Sequence, residues 1–228
     1  MPTPENDALR ALYPFLHGER QDGAALRAAL LRSVRQKAAD SIAAKQRFFA
    51  ANGEAVVKAA EAIAAVYRRQ GRMFSMGNGG SSCDAAHFAV EFLHPVTAGR
   101  PALTAVNLGS DTAMITAVGN DLGFGHVFLR QLVALARRGD GVIGFSTSGS
   151  SENILAAFAK AKEIGATTIA LTGHDGGKTA RSGDVDHCLV VPSESIHRIQ
   201  EVHVTTYHIL WDLVHALLAQ DRGRPGAP

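Results

Sequence analysis

GVIGFSTSGSS, residues 141–151, passes from a continuous apolar run through a Ser/Gly loop and opens a segment with helical spacing of apolar residues. A short run that is apolar throughout suits a strand buried on both faces, as in a parallel sheet. The turn after such a strand aims backbone N–H groups and the positive end of a helix at whatever lies above it, which favours an anion. Ser146, Thr147, Ser148, Ser150 and Ser151 add hydroxyl donors. The loop has no lysine of the GxxxxGK[ST] kind and is not GxGxxG, which disfavours a nucleoside triphosphate or a dinucleotide. Read alone, it is either a phosphate cradle or an ordinary Ser/Gly turn with an N-cap serine.

The same alternation extends in both directions from Met73 onward. MFSM (73–76), LTAVNL (103–108), TTIALT (167–172) and CLVVP (188–192) are strand-like runs, and amphipathic stretches separate them. The spacing predicts helices starting near Ser81, Asp111, Ser151 and Asp175, and a last long one from about His197 to Gln220. Five strands separated by helices imply an α/β protein with a five-stranded parallel sheet in three layers, of order 2-1-3-4-5. A second glycine loop, Gly77-Asn78-Gly79-Gly80-Ser81-Ser82, follows the first strand as the serine loop follows the third. Its glycines permit close backbone approach to a ligand, and the Asn78 amide can donate or accept. It also reads as a tight turn. Placed at carboxyl ends of adjacent parallel strands, the two loops point to one shared sugar-phosphate pocket. Gly119-Asn120-Asp121 offers a third contact or a plain turn.

Before Met73 the chain is rich in Ala, Leu, Arg, Lys and Glu. From Gly23 to Arg72 it has no proline, and apolar residues recur at helical spacing (Leu26, Leu30, Leu31, Val34, Ala38, Ile42). Two or more helices are expected, broken near Asn52-Gly53 and packed as a bundle within one subunit or between several. The segment before Asp22 reads as a docked arm or frayed tail, and RGRPGAP after Asp221 as a disordered tail.

Over 228 residues, 46% are hydrophobic, and 23 basic residues against 21 acidic leave a formal charge of only +2. That balance carries no nucleic-acid footprint. The longest basic runs, Arg68-Arg69 and Arg137-Arg138, read as solvated helix ends. Two cysteines without CxxC spacing, Cys83 and Cys188, fit a reducing cytoplasm and no disulfide framework. Cys83 reads as a small buried residue. The N-terminus lacks the apolar core of a signal peptide, and no run approaches the ~20 apolar residues that span a bilayer. No membrane partner is expected.

Two helical stretches carry the titratable groups. His87 and Glu91 stand four residues apart, one turn along one face. Gln200 and His208, in RIQEVHVTTYH, are roughly 80° from eclipsed and can line one groove. Brought together, these helices supply two imidazoles, a carboxylate and an amide, a set able to hold a divalent metal or to move protons without one. Three firm ligands with a weak fourth suit catalytic rather than structural zinc. His203 faces another side of its helix. Phe88, Tyr207 and Trp211 read as core or interface residues, and the remaining histidines as surface or packing groups.

Taken in order, GNGGS, HFAxE, GND, STSGxS, LTGxDGG and RIQExHxxxxH resemble the sugar isomerase (SIS) fold, and within it the bacterial phosphoheptose isomerases, over residues 40 to 220. The resemblance implies a flavodoxin-like three-layer sandwich with an N-terminal helical extension. It divides the chain into an extension (1–36, helical or partly disordered), the isomerase domain (37–220) and a disordered tail (221–228). It implies metal ligands at His87, Glu91, Gln200 and His208 with zinc the usual ion, and an acid/base pair of Glu91 and His208. Sugar-phosphate contacts would fall on Asn78, Gly79, Gly80, Ser81, Glu91, Asn120, Asp121, Ser146, Thr147, Ser148, Ser151 and Gln200. The implied activity is aldose–ketose isomerisation of sedoheptulose 7-phosphate to D-glycero-D-manno-heptose 7-phosphate, in a cytoplasmic homotetramer with active sites between subunits. The alternatives are a non-catalytic SIS tetramer that binds the bacterial replication initiator, and an isomerase of another sugar phosphate. Residues at Glu91 and His208 able to do acid/base work favour the enzyme. The chain departs from the pattern in its extra N-terminal residues, and in His197 before Arg198, where an acidic residue is expected.

Overall fold

Each of the five apolar runs forms a strand in the computed structural model, which describes residues 23–220. They are β1 (Met73–Gly77), β2 (Ala105–Asn107), β3 (Gly141–Ser146), β4 (Thr167–Gly173) and β5 (His187–Val191). They make one sheet of order β2-β1-β3-β4-β5, parallel at every neighbour. This is the expected order. The expectations for residues 1–22 and 221–228 lie outside the described residues.

The helices are α1 (Gly23–Arg68), α2 (Gly80–Leu93), α3 (Thr112–Asp121), α4 (Val127–Leu135), α5 (Glu152–Ile164), α6 (Gly177–Arg181) and α7 (Ile196–Ala219). Two begin at side-chain caps. Asp111 accepts from Met114 N–H at 3.0 Å, and Ser195 accepts from Arg198 N–H at 3.4 Å. A single helix was expected from Asp111, and the chain forms two, α3 and α4. A turn at Gly123, with φ of 90°, and a 3-10 segment at Phe124–His126 split them.

Strand residues alternate between two cores, as the period of two requires. Ile143, Phe145, Ile169 and Leu171 enter a core formed with α2, α7 and the latter part of α1. Val142, Phe74, Met76 and Ala170 enter a second one formed with α4 and α5. A fully buried Phe or Ile contributes about 1.5–3 kcal/mol, so this two-sided burial holds the sheet rigid beneath its loops. Gly144 serves the second core by omission: a Cβ there would fall 2.6 Å from the Phe158 ring.

The expected break at Asn52-Gly53 does not occur, because α1 is one continuous helix. Gly53 is exposed with open space around it, and the Asn52 amide donates to Phe48 O at 3.0 Å inside the helix. Phe48, Val56, Ile63 and Val66, buried in the first core, outweigh the roughly 1 kcal/mol that an interior glycine costs. With one helix in place of several, no intrachain bundle forms over 23–70. The chain divides into compact units after Asp40. Leu26, Leu30, Leu31, Val34 and Ile42 stand exposed.

Candidate active site

The two loops sit side by side because β1 and β3 are neighbours, with Gly77 in register with Phe145. A reciprocal amide pair joins them. Asn78 Nδ2 donates to Asn153 Oδ1, and Asn153 Nδ2 donates to Asn78 Oδ1, both at 2.9 Å. Asn153 is buried in the first turn of α5 and was not singled out in the sequence; its place two residues after the serine loop was the available signal. In the serine loop, buried Ser146 lies 3.2 Å from Ser151 and 3.5 Å from Ser148, oxygen to oxygen. Thr147 is half-buried and Ser148 is exposed, so hydroxyls line the upper face of the turn. Gly149 (φ 58°) lets the loop cross the 176–177 turn, since a Cβ would meet Gly176 O at 2.1 Å.

In the first loop, Gly79 takes φ of 54° and Ser81 is buried, its N–H donating to Asn78 O at 3.0 Å. A cavity of about 160 Å³ opens beside Asn78 and Gly79, bounded by Phe124 and Phe128. Gly80 admits Gln200: a Cβ at Gly80 would lie 2.3 Å from the Gln200 amide nitrogen. The start of α7 is thereby seated on the loop that starts α2.

Farther along, α2 and α7 bring the titratable groups together. His87, Glu91 and His208 each place a ligand-capable atom within 4.8 Å of the others. His87 Nε2 meets Glu91 Oε1 at 3.0 Å, and its ring lies 5.0 Å from that of His208, edge to face. Burial and the neighbouring His87 lower the His208 pKa, while Glu91 partly offsets them. His208 is therefore neutral near pH 7 and can both take and give a proton. Two imidazoles and a carboxylate at this spacing fit a divalent cation with an open position. Gln200 stands two turns away, against Gly80.

Two residues read as plain core turn out to support this cluster. The Tyr207 hydroxyl meets His87 Nδ1 at 2.7 Å, and Trp211 Nε1 donates to Glu91 O at 2.8 Å. Burial, first, and the carboxylates of Asp84 and Glu91 push the Tyr207 pKa up, so the phenol keeps its proton. Asp84, one turn before His87, is buried with Oδ2 unpartnered; burial raises its pKa to about 6 against the pull of His87. Cys83 is exposed, not buried. The inner face of α2 runs through Ser81, Asp84, Ala85, Phe88, Ala89 and Phe92, which turns Cys83 outward. His203 does face elsewhere: it is fully buried, and its Nε2–H donates to Thr172 O at 3.1 Å.

Asn120 and Asp121 are not drawn in. They end α3, exposed, with Asn120 Nδ2 donating to Asp121 Oδ1 at 2.8 Å. Among the described residues no hydrogen bond ties them to either loop.

A parallel sheet of this order, with a serine loop at its carboxyl edge and a His/Glu/His cluster on α2 and α7, is the framework of a SIS-domain protein, and residues 36–173 match the SIS domain family. A phosphoheptose isomerase of Thermodesulfovibrio yellowstonii is 41% identical over 185 residues, spanning 81% of this chain and 91% of that one. Among solved structures, the phosphoheptose isomerase of Neisseria gonorrhoeae superposes with a TM-score of 0.77 at 41% identity, covering 82% of this chain and 99% of that one. The Francisella tularensis enzyme gives 0.78 at 37% identity, covering 82% and 98%. The chain belongs to the phosphoheptose isomerase family of SIS-domain proteins.

Proposed function

We propose that this protein isomerises sedoheptulose 7-phosphate to D-glycero-D-manno-heptose 7-phosphate, the first step of nucleotide-activated heptose biosynthesis. The observation that carries this reading is the convergence of Glu91, His208 and His87 on the two helices packed over the sheet whose carboxyl edge carries the loop of hydroxyls. The serine loop, with Ser146, Thr147, Ser148 and Ser151, takes the phosphate. Asn78, Gly79, Gly80, Ser81 and Gln200 line the path of the sugar chain. Glu91 removes a proton from C1 of the ketose, which gives an enediolate, and a proton is returned to C2. His208 moves the hydroxyl proton between O2 and O1, a task suited to its neutral imidazole. His87, Glu91 and His208 are the groups that would hold zinc, and Gln200 would join them as a weaker fourth by swinging away from Gly80; when bound, the ion would stabilise negative charge on oxygen as a Lewis acid.

We assign residues 37–220 to the isomerase domain and 1–36 to an extension, a division supported by the start of the family match and the boundary after Asp40. We also assign a cytoplasmic homotetramer with active sites completed between subunits. Exposed Leu26, Leu30, Leu31, Val34 and Ile42 on α1 support association, and so does the unengaged position of Asn120 and Asp121. Among the described residues no helix is long and apolar enough to cross a membrane.

The deciding experiment offers the purified enzyme five-, six- and seven-carbon ketose and aldose phosphates and follows interconversion by NMR. Turnover confined to the seven-carbon pair is expected. Preference for a pentose or hexose phosphate overturns the substrate, and no turnover of any member overturns the enzyme reading.

A further inference from the structure

A second cleft, of about 510 Å³, lies at the opposite end of the sheet from the two loops. Three turns build it: 69–72 leading into β1, 137–140 leading into β3, and Gly165 before β4. Because these strands are parallel, all three turns sit at amino-terminal strand ends. A strand of six residues at ~3.3 Å each puts about 20 Å between them and the serine loop. No substrate held in the first site reaches this cleft.

Its charge is unbalanced. Arg69, Arg72, Arg137 and Arg138 line it, and Asp140 is the carboxylate among the lining residues. Asp140 is buried and already occupied: Oδ1 accepts from Arg72 N–H at 2.9 Å, and Oδ2 from Arg137 N–H at 2.9 Å and Arg72 Nη2 at 3.2 Å. Arg72 Nη2 also donates to Leu135 O at 2.6 Å. One guanidinium is thus neutralised, and among the described residues Arg69, Arg137 and Arg138 form no ion pair.

The backbone is shaped to hold these groups. A Cβ on Gly71 would fall 2.6 Å from Gly139 O, so the first two turns meet only because that side chain is missing. Gly139 (φ 91°) and Gly165 (φ 84°) are left-handed and bare. The Arg69 Nε lies 3.8 Å from the Cβ position of Gly139, and Arg138 Nη1 lies 3.6 Å from that of Gly165. Gln70, at φ of 60°, adopts a conformation that non-glycine residues seldom take. Guanidinium groups offer rigid forks of donors that match phosphate oxygens in pairs.

We propose that this cleft binds a compact phosphate-bearing polyanion of the diphosphate class, at a site separate from the substrate pocket. Three unneutralised guanidiniums and a volume in the range of small-molecule sites exceed what one phosphate group would use. This proposal stands apart from the assignment of the isomerase substrate.

The test is calorimetric titration of the full-length protein with inorganic pyrophosphate, and with inorganic phosphate for comparison. Saturable pyrophosphate binding is expected, at least ten-fold tighter than phosphate and weakening as ionic strength rises. In the Arg69→Ala/Arg138→Ala variant, pyrophosphate affinity should drop at least ten-fold while isomerase kcat and KM stay as in the wild type. Arg69→Lys/Arg138→Lys keeps the charge without the fork and should lie between, and thermal unfolding checks that each variant is folded. Equal affinity for phosphate and pyrophosphate overturns the diphosphate class. No binding to the wild type overturns the site. So does binding that survives the double alanine variant, or that Ser146→Ala abolishes instead, which would place it in the serine loop.

Discussion

At the scale of single residues, the site depends on a few atoms whose partners were invisible along the chain. Glu91 is the clearest case. Replacing it with Gln keeps shape and burial but removes the base, so turnover should fall by roughly 10²-fold or more while substrate affinity changes little. Steady-state kinetics on the sugar phosphate checks this, and undiminished turnover removes Glu91 from the chemistry. Tyr207 makes a subtler prediction. Its hydroxyl fixes the His87 ring from the Nδ1 side, leaving Nε2 for Glu91 or for a metal. Partners of this kind typically contribute 10–100-fold to metal affinity. Tyr207→Phe should therefore weaken divalent-metal binding by about that factor in chelator competition, with the fold intact. Metal affinity equal to the wild type's would make Tyr207 a packing residue only.

Among the elements, α1 shows tertiary burial overriding a local break signal. A Cβ added at Gly53 would meet nothing within 4 Å, and the backbone around it is ordinary helix. Gly53→Ala should accordingly stabilise the protein by about 0.5–1 kcal/mol, through the lower entropy of the unfolded chain. Denaturant unfolding measures it, and a loss of stability would mean that residue 53 is covered by another subunit. The opposite holds for the 144–149 segment, where glycines are required by Phe158 below and by Gly176 beside the loop.

For the whole molecule, stability against acid and association are the measurable consequences. His203 is completely buried, and burial lowers its pKa to about 4 despite the bond to Thr172 O. An unfolded histidine titrates near 6.5, so below that pH the unfolded state binds the proton first. The His203 contribution is present in full above pH 6.5 and is lost as pH falls toward 4, amounting to about 3 kcal/mol. Asp84, its pKa raised to about 6, acts in the reverse sense: its contribution is present at acid pH and is lost as pH rises through that value. Comparing wild type with His203→Gln by denaturant unfolding at several pH values separates the two. The wild type should lose more stability than the variant between pH 6.5 and 4, and parallel curves would refute the assignment. Sedimentation should give a tetramer, and charged substitutions at exposed Leu30 and Val34 should shift it toward smaller species. A monomeric wild type would remove the inter-subunit site.

Much of this architecture was legible along the chain because its signals are periodic and local. Runs such as GVIGFS are apolar throughout and bounded by loops, so strand number and parallel pairing followed from alternation and handedness, while the strand order rested on a known doubly wound pattern. His87 and Glu91 could be paired for the same reason, since a helix makes residues four apart into neighbours. What no local pattern contains is which helix faces which. His87 and Tyr207 are separated by 120 positions, as are Glu91 and Trp211, and their hydrogen bonds exist only because α2 and α7 pack on the same face of the sheet. The arginine cleft arises likewise: Arg69, Arg137 and Arg138 belong to runs that read as solvated helix ends until the parallel sheet gathers the starts of β1, β3 and β4 at one edge. Periodicity is a property of neighbouring residues, whereas these groups are joined by strand order and by the omission of side chains at Gly71, Gly80 and Gly165, which acts only once the chain has closed on itself.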